Sequence, residues 1–110
     1  MIEIECNITI KKEGKNYLNA LKVNLLHCIQ QTGSLSGAAK KLGISYQFAW
    51  NMIEEINSTS NTPLVVLQRG GVNGGGAVVT DTGLRFIKEY KYIEDEVNRL
   101  IGKIISEINF

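Results

Sequence analysis

Two carboxamides, Gln47 and Asn51, stand four residues apart in a segment with helical periodicity, which sets both on one face. A carboxamide carries a donor beside an acceptor and can pair bidentately with the N6 and N7 edge of adenine, so the pair is a candidate for reading bases. Ser34, Ser36 and Ser45 stand at or near helix starts, where hydroxyls and free N–H groups suit phosphate oxygens, and Lys40 and Lys41 add positive charge nearby. Tyr46 and Trp50 complete the candidate surface. A merely solvated helix face is the competing reading of Gln47 and Asn51. Phe48 and Trp50 divide between core or wing packing and groove contact, because aromatics at helical spacing often belong to a core. The serines are expected to cap helices in any case.

Chemistry of other kinds finds little support. His27 has no Cys, Asp or Glu near it in a ligand pattern. Cys6 and Cys28 form no C-x-x-C or Cys/His spacing and are expected to pack as small hydrophobes. No nucleophile-base set or acid pair accompanies a pocket-forming motif, so neither catalytic residues nor a metal or other cofactor is expected, and the chain is not expected to be an enzyme.

The candidate surface needs a scaffold of two short helices meeting at a sharp angle. Ala39 supplies the small residue where they approach, Gly43 the permissive turn, and Leu42, Ile44, Ala49 and Met52 the apolar corner of a helix-turn-helix. The second helix, capped by Ser45 and reaching about Asn57, is the one expected to enter a major groove. Before it, Leu18, Leu21, Leu25, Leu26 and Ile29 recur at helical spacing, giving a three-helix core over residues 17–57. The alternation of Ile2, Ile4, Cys6, Ile8 and Ile10 with polar residues predicts an opening strand within residues 1–12, ending in a turn at Lys12 to Asn16.

Leu64–Leu67 and Ala77–Val79 are β-rich runs joined by Arg69 and a glycine-rich stretch, which predicts a hairpin, or wing, over residues 64–79. The glycines suggest phosphate binding, but a dinucleotide fingerprint runs into a helix and a P-loop ends in Gly-Lys-Ser/Thr, whereas this run is followed by Ala77, Val78 and Val79. A hairpin tip fits better, with Arg69, Asn73 and Gly74 as candidate contacts to a DNA backbone and a purely structural loop as the alternative. Thr80 is a suitable N-cap for a last helix over residues 80–108, along which Phe86, Tyr90, Ile93, Val97, Leu100 and Ile104 step by four and three. So long an apolar stripe predicts a dimerisation helix.

Composition agrees with this scaffold. The 110 residues, 44% hydrophobic and 21% charged, suit one soluble domain over residues 1–110, and no apolar run approaches the roughly 20 residues that span a bilayer. No export signal is evident, so a cytoplasmic location and no membrane partner are expected. The net charge of +1 is low for nucleic-acid binding, but it is unevenly spread. Between Lys11 and Ile53 six lysines face only Glu13, while Glu94, Asp95 and Glu96 cluster late in the chain. The expected fold is α+β, mainly helical: a winged helix-turn-helix with an N-terminal strand and a long C-terminal dimerisation helix.

The segments GSLSGAAKKLGISYQFAWNMIEEIN, from Gly33 to Asn57, and GGVNGGGAVVTDTG, from Gly70 to Gly83, resemble the DNA-binding domain of the ModE family of molybdate-responsive regulators, related to the LysR-type winged helix-turn-helix. With the opening strand, the similarity covers nearly the whole chain. The resemblance implies a recognition helix within Gly43 to Asn57, a wing from Arg69 to Ala77, and dimerisation aided by the last helix. The chain departs from the family pattern where Gln47 and Val72 replace basic residues, so weaker phosphate attraction and a different operator are expected. Molybdate sensing in that family belongs to further domains, none recognisable within these residues, so no molybdate response is expected and any small-molecule effector is unknown.

The function these features predict is sequence-specific binding of double-stranded DNA by a homodimeric transcriptional regulator. An architectural chromatin protein with little sequence preference, or a winged-helix protein-interaction module, are the alternatives.

Overall fold

The computed structural model describes residues 1–68 and 76–110. It is a winged helix-turn-helix. Two short antiparallel strands, β1 (Ile10–Lys12) and β2 (Lys15–Leu18), precede α1 (Ala20–Thr32), α2 (Leu35–Leu42) and α3 (Tyr46–Ser58). The wing strands β3 (Val65–Leu67) and β4 (Ala77–Val79) follow, and α4 (Asp81–Glu107) closes the chain.

The N-terminal strand is shorter than the alternation predicts, since residues 1–9 adopt no regular secondary structure and Ile2 and Ile4 are exposed. Alternation needs a partner strand to act on, and β2 is only four residues long. The turn is Glu13–Gly14, with φ of 53° and 78°, both in the left-handed region that a two-residue hairpin requires. Residues 15–18 therefore return as a strand, and the first helix starts at Ala20, later than the expected 17. Leu18 is buried from β2 instead of from that helix, and Leu21 is exposed where helical spacing put it inward.

Each helix start is closed by a side chain. Asn19 accepts from the Lys22 N–H, Ser34 from Gly37, Ser45 from Phe48 and Thr80 from Gly83. Such caps are worth about 1 kcal/mol each. Gly43 ends α2 at φ 70°, and the amides of Gly43 and Ile44 donate to the carbonyls of Lys40 and Ala39, a Schellman closure that turns the chain within three residues. Ile44 follows into the core.

That core lies between α1, α2, α3 and the wing base, with Leu25, Leu26, Ile29, Ala38, Ala49, Ile53, Ile56, Leu64 and Val65 almost wholly buried. The Ala77 N–H donates to the Gly33 carbonyl at 2.9 Å and so pins β4 to the corner between α1 and α2. A second cluster joins Tyr17, Leu18, Val23 and Tyr90. Gly83 allows α4 to start against the wing base: a Cβ there would lie 2.6 Å from Val79 Cγ1 and closer still to the Leu64 carbonyl oxygen. No residue of α4 after Tyr90 is buried. With its 27 residues, about 40 Å long, the helix runs well past the core.

Candidate nucleic-acid interface

The recognition segment is held out by its inner face. Ala49, Met52, Ile53 and Ile56 of α3 are buried, so residues a half-turn away must face solvent. Tyr46, Gln47, Phe48 and Asn51 do, with Tyr46 53% and Phe48 48% exposed. The Gln47 Nε2 donates to Asn51 Oδ1 at 3.0 Å. That bond leaves the Gln47 carbonyl oxygen and the Asn51 amide N–H groups as the free acceptor and donor.

The structure divides the aromatics that the sequence left open. Trp50 is half-buried and packs against the main core, whereas Phe48 is exposed and belongs to no core cluster. Ser34 and Ser45 are occupied as caps through their oxygens, at 3.0 Å from the Gly37 and Phe48 amides, and retain hydroxyl hydrogens to donate. Ser36 and Lys40 are exposed on α2, and Lys41 reaches Gln31. Arg69, Asn73 and Gly74 lie outside the described residues. Cys28 is buried, but Cys6 is exposed and is not the packed hydrophobe its alternating pattern suggests.

The long stripe serves two purposes. Phe86 packs against both clusters, edge-on to Tyr17 with ring centroids 5.6 Å apart, and Tyr90 is 1% exposed with its hydroxyl donating to the Ile8 carbonyl at 2.8 Å. These two residues are therefore part of the chain's own core, not an exposed dimer surface. Burial and the neighbouring Glu94 push the Tyr90 phenol pKa above its usual value. Ile93 and Val97 are half-buried, and Leu100 and Ile104 are exposed at 55% and 37%.

Two supporting residues carry no sequence signal beyond their polarity. The Asn57 carboxamide accepts from the amides of Leu64 and Val65, at 2.9 and 3.3 Å, and donates to the Val65 carbonyl at 2.9 Å, tying the end of α3 to β3. Lys22, 4% exposed, donates to Glu55 at 2.6 Å and joins α1 to α3. Among the described residues, no cluster of three or more His, Cys, Asp or Glu is placed to hold a metal ion, and no helix is long and apolar enough to cross a membrane.

Residues 21–84, from α1 to the first turn of α4, match the model of the bacterial regulatory helix-turn-helix protein, lysR family. The chain belongs to that family. Residues 21–84 are thus a LysR-type helix-turn-helix, a DNA-binding unit of bacterial regulatory proteins. The chain is also 38% identical over 102 residues to the molybdenum-pterin-binding protein MopB of Rhodobacter capsulatus, covering 93% of this chain and 37% of that protein. It is 40% identical over 89 residues to the DNA-binding transcriptional dual regulator ModE of Escherichia coli K12, covering 81% and 34%. The chain thus spans about a third of the length of these relatives.

Solved LysR-type and winged-helix regulators share the fold. Full-length LysG from Corynebacterium glutamicum, with bound effector Arg, superposes at a TM-score of 0.61 and 19% identity, over 84% of this chain and 31% of that one. A ZitR variant from Lactococcus lactis gives 0.60 at 14% identity, over 91% and 67%.

Proposed function

We propose that the chain binds double-stranded DNA as a homodimer, with α3 of each copy in successive major grooves and the wings against the flanking backbone. The observation that carries this reading is the face of α3: a LysR-type helix-turn-helix presents Tyr46, Gln47, Phe48 and Asn51 to solvent, with the two carboxamides already hydrogen-bonded to each other. The free acceptor of Gln47 and free donor of Asn51 match the N6 donor and N7 acceptor of adenine, so the pair reads one base jointly. Correct pairing of this kind discriminates by about 1–3 kcal/mol. Ser36, Lys40 and the α2 and α3 starts supply the phosphate contacts that set the register.

Support for the dimer comes from α4. Among the described residues no core cluster includes the stripe beyond Tyr90, and Ile93, Val97, Leu100 and Ile104 keep the four-three spacing of a helix pair. A parallel pairing would set Glu89 against the second copy's Glu94. An antiparallel one layers Ile93 on Ile104 and Val97 on Leu100 and sets Glu96 beside Lys103, so charge favours the antiparallel form.

Binding of fragments from the protein's own promoter region tests the reading. Gln47→Ala and Asn51→Ala are each expected to weaken a selected site about 10-fold or more while leaving random DNA nearly unchanged. Equal loss on both DNAs would remove the base-reading role.

A further inference from the structure

The first turn of α3 carries a side chain that neither the core nor the helix start uses. Phe48 is 48% exposed and belongs to no core cluster, while its backbone N–H donates to Ser45 Oγ at 3.0 Å. It is the third helical residue after that cap, where Glu or Gln would reach back to complete a capping box and where an acid suits the positive end of the helix. Phenylalanine does neither, and it is a mediocre helix former. The local fold therefore gives no reason for an aromatic ring at this position.

Its place around the helix says what it would meet. With Ala49, Met52, Ile53 and Ile56 buried, the exposed arc of α3 runs from Glu54 through Gln47, Asn51 and Glu55 to Phe48 at about 100° per residue. Phe48 lies about 80° from the midpoint of the Gln47 and Asn51 pair. On a helix about 10–12 Å across, that is an offset of about 5–7 Å, or one to two base-pair rises of about 3.4 Å. The ring has no N–H or O–H to donate and no carbonyl to accept, and the major-groove edges of the four bases are polar except for the C5-methyl of thymine.

We infer that Phe48 reads a thymine C5-methyl one or two base pairs from the adenine held by Gln47 and Asn51. The inference rests on α3 entering the major groove, as proposed above, and adds an apolar contact to a readout otherwise made of hydrogen bonds. Cytosine carries only hydrogen at the same carbon, so the ring favours thymine at a position where it makes no hydrogen bond. Each half-site then holds an adenine and a thymine at a short fixed separation.

Exchange of thymine for deoxyuridine tests the contact alone, because it removes the methyl and leaves every hydrogen-bonding group of the base pair in place. A site is first selected from random duplexes, and each thymine of one half-site is then exchanged singly. At one of them the native protein is expected to bind about fourfold more weakly, the worth of one buried methyl. Phe48→Ala is expected to bind the two duplexes equally, so the loss belongs to the pair of ring and methyl and not to either alone. Phe48 is exposed and alanine is the best helix former, so circular dichroism should stay native-like. Phe48→Gln, which can complete the capping box, is the second variant and is expected to be equally indifferent to the methyl. A selected half-site without thymine within two base pairs of the adenine, or one in which no methyl matters, overturns the inference. So does a methyl dependence that survives in both variants, since the methyl then acts through another residue or through duplex shape. Each of these results leaves adenine reading intact if Gln47→Ala still loses preference for the selected site. A protein that selects no site at all overturns both.

Discussion

Removing the Asn57 carboxamide is expected to loosen the wing from the helix that precedes it, and the size of the effect can be worked from three distances. Asn57→Ala loses the 2.9 Å bonds to the Leu64 amide and the Val65 carbonyl, together with the 3.3 Å contact to the Val65 amide. Each good bond contributes about 1 kcal/mol net. Leu64 is 0% exposed, so its stranded N–H cannot turn to water and adds about 1–3 kcal/mol of desolvation cost. The total is about 3–5 kcal/mol, a fall in midpoint of roughly 12–40 °C for a domain this size. Thermal unfolding followed by circular dichroism measures it, with Asn57→Asp as the comparison. The aspartate keeps an acceptor for both amides but cannot donate to the Val65 carbonyl, so it should fall between the native protein and the alanine variant. If Asn57→Ala unfolds within about 0.5 kcal/mol of the native protein, the clamp contributes nothing and the reasoning fails.

Glu55→Gln should destabilise by about 1–3 kcal/mol in urea unfolding, because the nearly buried Lys22 ammonium loses the charge of its partner; a loss below about 0.3 kcal/mol would mean that water serves Lys22 equally well. Gly83→Ala should cost about 1–3 kcal/mol by thermal melt, since the added Cβ must displace Val79 and the Leu64 carbonyl; a neutral outcome would contradict the close approach. The Tyr90 phenol has a raised pKa in the fold, so its neutral form is the one the fold favours. That contribution is complete below the ordinary phenol value near pH 10 and is lost as pH climbs through the higher folded value. Denaturation midpoints of the native protein should therefore drop more steeply than those of Tyr90→Phe above about pH 10.

Much of the fold was readable because local rules and tertiary needs coincide at particular residues. Ser34, Gly43, Ser45 and Thr80 each punctuate the chain where cap chemistry and backbone conformation ask for the same residue. The wing strands were likewise marked by β-branched residues on either side of a glycine run. Reading failed where one signal has two physical sources. Glu13–Gly14 makes a tight hairpin turn without the usual Asn-Gly pair, so β2 was absorbed into the following helix. Lys22 is buried against expectation for its type because Glu55, 33 residues away, accepts its proton-rich head. The α4 stripe has a single period, but Phe86 and Tyr90 use it for their own core while Leu100 and Ile104 stay exposed. Periodicity reports which side of a helix is apolar, not whose surface covers it. At the candidate site, the spacing of Gln47 and Asn51 was legible, whereas their mutual hydrogen bond and the opposite fates of Phe48 and Trp50 depend on packing that spacing does not encode.

The glycine at position 83 acts as the joint of a lever. Only a residue without a side chain lets α4 rest directly on the Leu64 carbonyl, so the helix leaves the wing base along one fixed bearing. An arm of about 40 Å magnifies any error at its root: a tilt of about 5° there displaces the far end by roughly 3–4 Å, close to the rise of one base pair. In an antiparallel pair the two bearings together set the separation of the recognition helices. In the proposed dimer the spacing of half-sites is then ruled by a joint far from any base, and a change at residue 83 should retune which operators fit before it changes which bases are read.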